Sequence, residues 1–132
     1  MTNPILVTAA IIERKGKFLI TQRKKDSHNA LRWEFPGGKL DFGEDPRACL
    51  KREIKEELGI NIIPKEIFEY SSHVYGGKKH IVLLAFICKF KSGKLQKIHI
   101  NDYAWASPEE MKNYDITEAD LPFVEKLKKL KR

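Results

Sequence analysis

The hydrophobic pattern divides the chain into short β-type blocks, one amphipathic helix in the middle and another at the end. Ile5 to Glu13 and Lys17 to Arg23 are apolar, β-branched runs around Arg14-Lys15-Gly16, which predicts two strands joined by a hairpin turn. Trp33 to Phe35 is short and should be extended, because the residue before a proline (Pro36) avoids helix. Between Pro46 and Leu58 the period changes. Leu50, Ile54 and Leu58 recur at helical spacing, with Arg47, Lys51 and Lys55 on the opposite side. Asp45 is the expected N-cap, Pro46 suits the first helical position, and Gly59 suits the end. Ile60 to Val74 should return as extended chain interrupted at Pro64. His80 to Phe90 is the most hydrophobic run and predicts a central strand. Tyr103 to Ala106 predicts a short strand, and Ser107 with Glu110 a capping box on a turn of helix from Pro108 to Met111. Thr117 to Leu130 predicts the last helix, with Leu121, Val124, Leu127 and Leu130 on its buried face.

Strands and helices interleaved in 132 residues predict one α/β domain spanning 1–132, a mixed sheet between helices. Gly37 and Gly38 permit unusual backbone geometry or close approach of a ligand. With 42% hydrophobic and 33% charged residues the chain reads as soluble and globular, and its net charge of +7 favours anionic partners without choosing among them. Cys49 and Cys88 have no metal-binding spacing, so buried free thiols in a reducing, cytoplasmic compartment are expected. No apolar run is long enough to span a bilayer, and the N-terminal run reads as a strand instead of a signal peptide. The basic end KLKKLKR lacks interleaved aromatics, so nucleic acid is not an expected partner there.

The chemistry concentrates on the central helix. Glu53, Glu56 and Glu57 stand at i, i+3 and i+4, on one face at the edge of the apolar stripe. Like charges so placed repel. Glu56 has Arg52 four residues away, whereas Glu53 and Glu57 have no local neutralising partner at helical spacing. A divalent cation with oxygen ligands would answer that repulsion, and a charged surface is the competing reading.

Gly38, Glu44, Arg52, Glu53, Ile54, Glu56, Glu57, Gly59 and Ile60 match every defined position of G-x5-E-x7-R-E-U-x-E-E-x-G-U, where U is aliphatic. The run resembles the Nudix box. RWEFPGGK (Arg32 to Lys39), FLITQR ending at Arg23 and the late Trp105 are similar to the MutT-like branch of that family. The resemblance implies the Nudix α/β/α sandwich with a mixed β-sheet between helices. It implies a magnesium-dependent hydrolase, with manganese as the alternative, splitting a nucleoside triphosphate into monophosphate and pyrophosphate. By the same resemblance Glu53, Glu56, Glu57 and the carbonyl of Gly38 or Gly37 hold metal. Arg52 orients a glutamate, Glu44 supports the site, and Glu53 is the candidate base.

Four further residues are candidate substrate contacts. Arg23 offers a planar fork suited to phosphate oxygens, and Lys39 is a second cation beside the double glycine. Phe35 matches a base-pocket position of MutT-like proteins. Asp120 matches a position where MutT has an asparagine that reads oxidised guanine. An ionised aspartate only accepts hydrogen bonds and suits the exocyclic amine of cytosine; a protonated one would also donate. WASPEE and ADLP are also similar to CTP pyrophosphohydrolases of this branch. His28 and Lys79 are weaker pocket candidates. His99 stands where this branch often has another glutamate, and nearby Asp102 is the candidate to replace it. The alternatives are an 8-oxo-dGTP diphosphatase, another hydrolase of nucleoside-diphosphate-linked substrates, or a non-catalytic nucleotide- or RNA-sensing Nudix module. Monomer and homodimer both remain open.

Overall fold

The computed structural model describes residues 3–130. Among these residues, β1 (Ile5–Arg14) and β2 (Lys17–Gln22) form the expected hairpin. Its turn places both Lys15 (φ 52°) and Gly16 (φ 80°) in the left-handed region, as a tight two-residue turn requires. β3 (Trp33–Glu34) pairs with the far end of β2, and β4 (Gly37–Lys39) lies antiparallel to Val7–Ala9 of β1.

Gly37 and Gly38 do not adopt the unusual backbone geometry their type permits: neither has positive φ, and both lie in β4. Glycine is needed there for close approach: a Cβ at Gly37 would sit 1.9 Å from the Thr8 carbonyl oxygen. β5 (Ile60–Tyr75) continues through Pro64, where a break was expected. Register shifts between Pro64, Ile67 and Glu69 absorb the irregularity, and β5 is an edge strand, where proline's missing donor is tolerated. β6 (Lys79–Gly93) runs between β5 and β1, parallel to β1 from Ile81 to Cys88. β7 (Asp102–Ala106) pairs with β2. The resulting sheet is mixed, in the order β3-β2-β1-β6-β5 with β4 and β7 as branches.

α1 (Pro46–Leu58) is capped as its sequence predicts. The Asp45 carboxylate accepts from the Arg47 and Ala48 amides, and Gly59 (φ 73°) donates to the Lys55 carbonyl. Leu50, Ile54 and Leu58 are fully buried against Ala10, Ile12, Phe86 and Ile60 on one side of the sheet. The opposite side carries α2 (Leu121–Leu130).

The final helix differs from expectation. Glu118–Asp120 is a separate 3₁₀ turn leading into α2. The buried face is Phe123, Val124 and Leu127, while Leu121 and Leu130 are 43% and 54% exposed. A tight turn rotates about 120° per residue and an α-helix about 100°. A stripe extrapolated from Thr117 at one constant period is therefore out of phase. The Ser107–Glu110 capping box forms with both reciprocal hydrogen bonds, and the helical turn it precedes is 3₁₀, at Glu110–Asn113.

Candidate active site

A cavity of about 340 Å³ opens at the N-terminal ends of β1 and β6, between α1 and the 3₁₀ turn before α2. It brings together Arg23, Phe35, Gly38, Lys39, Glu53, Glu57 and Asp120, seven candidates spread over nearly a hundred residues of sequence. Glu56, Glu44 and Arg52 lie beside the cavity and not in its lining.

Glu53 and Glu57 project from α1 towards β4. The fit between helix and strand depends on Gly38, since a Cβ there would stand 2.2 Å from the Glu53 carboxyl. Arg52 is the hub of the acid cluster. Its Nε and Nη2 donate to Glu44 (2.7 and 2.9 Å), and its Nη1 to Glu53 (3.0 Å) and Glu56 (3.2 Å). Glu53 is therefore neutralised locally after all. Adjacent helical residues do not ordinarily face each other, but the long arginine side chain folds along the helix and reaches both Glu53 and Glu56. Hydrogen bonding from Arg52 and from the Asp41 amide holds Glu44 down to about 2. Glu57 has no such partner: burial, with Glu34 and Glu53 nearby, pushes its carboxyl up to about 9. Burial also raises Glu53, against the pull of Arg52.

Among the described residues no three acidic, histidine or cysteine side chains converge on one point. The Arg52 guanidinium spans Glu53 and Glu56. The donors on this wall are nevertheless of one chemical type. Two half-buried carboxyls, Glu53 and Glu57, line the same cavity as Gly38, whose carbonyl accepts from Thr8 Oγ1 (3.1 Å). Oxygen ligands, one of them on a glutamate that no arginine reaches, fit a hard divalent cation.

The other end of the cavity is aromatic and polar. Phe35 is buried, meets Phe123 edge-on at 6.2 Å, and also lines the cavity. Asp120 is only 2% exposed. Its Oδ2 accepts from the Phe35 amide (2.9 Å) and its Oδ1 from the Thr117 hydroxyl (2.5 Å). Desolvation, with Glu34 close by, pushes it up to about 7. Arg23 donates from Nε to the His28 carbonyl and from Nη1 to both Glu34 oxygens. Its fork is thus pre-engaged, leaving Nη2 towards other partners. His28 and Lys79 both border the cavity.

Glu34, Tyr75 and Thr117 are among the lining residues that escaped sequence reasoning. Glu34 has a signal in retrospect, as an acid between Trp33 and Phe35 in an extended segment whose alternation turns it from the core. Tyr75 lies at the end of β5, beyond the bulges that obscure its period. Asp102 is held by Lys97 (3.1 Å) outside the cavity, and His99 is exposed, its backbone amide on the Glu57 carbonyl. Neither lines the cavity.

The site is an arginine-bridged acid cluster on one helix facing a glycine strand of a mixed sheet, and the family and relatives that this chain matches make it a hydrolase of phosphorus-containing acid anhydrides. The chain belongs to the Nudix family: the NUDIX domain profile matches residues 2–127. It is 41% identical over 122 residues to the CTP pyrophosphohydrolase of Escherichia coli K12, covering 92% of this chain and 89% of that one. It is 30% identical to the 8-oxo-dGTP diphosphatase of the same organism, covering 95% and 96%. The solution structure of the E. coli ORF135 protein superposes with a TM-score of 0.83 at 39% identity, covering 96% of this chain and 90% of that one. A MutT protein from Methanosarcina mazei Go1 superposes with a TM-score of 0.85 at 25% identity, covering 96% and 94%. Nudix hydrolases generally use divalent metal ions. No helix among the described residues is long and apolar enough to cross a membrane.

Proposed function

We propose that this protein is a magnesium-dependent nucleoside triphosphate pyrophosphohydrolase, converting a triphosphate and water into a monophosphate and pyrophosphate, with a preference for a cytosine-type base. The observation that carries the reading is one cavity lined both by Glu53, Glu57 and Gly38 and by Phe35 and Asp120. Glu53, Glu57 and the Gly38 carbonyl, with Glu56 beside them, would hold the ion. When bound, the ion supplies charge neutralisation for the phosphates and acidifies a coordinated water. Manganese is expected to substitute. Glu53 is the candidate base, poised by Arg52 and Glu44. Arg23 and Lys39 meet phosphate oxygens, and Phe35 offers a face to the base.

Both Asp120 oxygens already accept one bond, and each keeps a lone pair for an exocyclic amine. The likeness to a CTP pyrophosphohydrolase supports the same choice. The upward shift of Asp120 favours a second reading, since a protonated carboxyl could donate to an oxidised guanine. The protein is expected in the cytoplasm, as a monomer or homodimer.

The test is pyrophosphate release from CTP, dCTP, ATP, GTP, UTP and 8-oxo-dGTP, with and without Mg²⁺. Metal-dependent release greatest with the cytosine nucleotides supports the proposal. Greatest release from 8-oxo-dGTP supports the second reading, and no release from any member sinks both.

A further inference from the structure

The wall of the cavity that carries Thr117, Ala119 and Asp120 belongs to no regular sheet or long helix. It is a tight turn, and its position depends on what ties it down. Three sets of ties are present. The backbone of Trp33 forms a bridge with it: the Trp33 amide donates to the Asp115 carbonyl and the Thr117 amide to the Trp33 carbonyl, both at 2.9 Å. From β5, the Ser71 hydroxyl donates to the Ala119 carbonyl, and the Ala119 amide donates to the Tyr75 hydroxyl. The third set is Arg32. Its Nη1 donates to Glu118 at 2.6 Å, and its Nη2 to the Ile116 carbonyl at 2.8 Å, with the Asp115 carboxylate 3.2 Å away.

Arg32 does not line the cavity. Its side chain is 21% exposed, and its Nε is buried without a partner. The guanidinium is thus committed wholly to the turn, at the cost of one donor. A planar fork can engage two side chains and a carbonyl within one turn, where an ammonium would act as a point charge. Trp33, the next residue, packs edge-on against Tyr114 at 4.9 Å. Two residues further on, the Phe35 amide donates to Asp120. The segment Arg32–Phe35 therefore fastens the whole of 114–120, while its own Glu34 and Phe35 face the cavity.

We propose that Arg32 is a positioning residue for base selection: by clasping residues 115–118 it fixes the distance between Asp120 and Phe35, and so the shape of the base end of the cavity. The inference rests on the nucleotide-hydrolase reading of this site, and it deepens that reading. Arg32 touches no substrate. It acts through Asp120, and its own partners all lie within 115–118, none of them on α1.

The experiment compares wild type with Arg32→Ala, Arg32→Lys and Glu118→Gln. Hydrogen exchange at the Trp33 and Thr117 amides, measured by NMR, reads the clasp directly. Both amides should exchange faster in Arg32→Ala, while amides in α1 stay as in wild type. The KM for the best nucleotide should rise about tenfold with kcat within about twofold, as expected when binding geometry alone is loosened. The ratio of kcat/KM between the best and second-best base should fall. The Mg²⁺ concentration for half-maximal activity should not move. Arg32→Lys and Glu118→Gln should give intermediate effects.

Unchanged exchange at both amides, or an unchanged base ratio despite faster exchange, overturns the proposal. So does an equal loss of kcat for every base with KM unchanged. If the wild type releases no pyrophosphate from any nucleotide, the functional reading fails by itself. Calorimetric affinities for CMP, UMP, AMP and GMP then replace the kinetic ratio, and an unaltered order in Arg32→Ala again overturns the role of Arg32.

Discussion

Arg52 makes the acid cluster tolerable. Its guanidinium contacts Glu44, Glu53 and Glu56, and lies 3.4 Å from Asp41, so charges that would repel on a bare helix face are partly compensated. Glu57 lies beyond its reach, and burial pushes its carboxyl up to about 9. Replacing Glu57 or Glu53 with glutamine should lower pyrophosphate release by about 10²–10³-fold, the scale for losing one preorganised electrostatic group. Steady-state assays at saturating Mg²⁺ check this, with circular dichroism to verify folding. Asp120 gives a prediction in pH. Its ordinary value of 3.8 is pushed up to about 7 by burial. Between those values the folded protein holds a proton that the unfolded chain has released. Its contribution therefore favours the fold below about pH 4 and is lost as pH rises towards 7. Thermal unfolding of metal-free protein between pH 4 and 8 should show stability falling across that window, and Asp120→Asn should flatten the slope.

Elements bring these residues together through two close contacts at β4. Gly37 and Gly38 are adjacent, yet they serve different neighbours. A methyl group at Gly37 would strike the backbone of Thr8 in β1, which cannot move without breaking the ladder. Gly37→Ala should destabilise the fold by about 1–3 kcal/mol or more, the range for overpacking, measured by urea denaturation. A methyl group at Gly38 would meet the Glu53 side chain, which can swing away. Gly38→Ala should cost less stability and more activity, because Glu53 would leave its place beside the Gly38 carbonyl. A variant pair behaving alike in both assays would remove the distinction. The N-terminus of α1 is a simpler case. Asp45→Ala removes the acceptor for two amides and should cost about 1 kcal/mol.

For the molecule as a whole, the proposed reading makes metal and nucleotide stabilising ligands, since both would bind the folded site and not the unfolded chain. Mg²⁺ at about a hundred times its Kd should add about 2.7 kcal/mol to stability, and Glu57→Gln should abolish most of the accompanying rise in Tm. The fold's chemistry was largely legible in the chain. The caps of α1, its buried stripe, the first hairpin and the acid spacing are local features, set by contacts within a few residues, and local rules suffice to read them. The phase of α2 was not legible, because the switch from 3₁₀ turn to α-helix depends on docking against the sheet. Nor was the path of β5 through Pro64, which depends on its being an edge strand. Glu34, Tyr75 and Thr117 entered the cavity only when β3, β5 and the turn before α2 met there. By itself, then, the sequence determined the helix that presents the acids, because capping, periodicity and charge spacing act over a single turn. Only the tertiary structure decided what faces those acids and how wide the base end is, because contacts such as Phe35 to Asp120 and Arg32 to Glu118 join residues more than eighty positions apart.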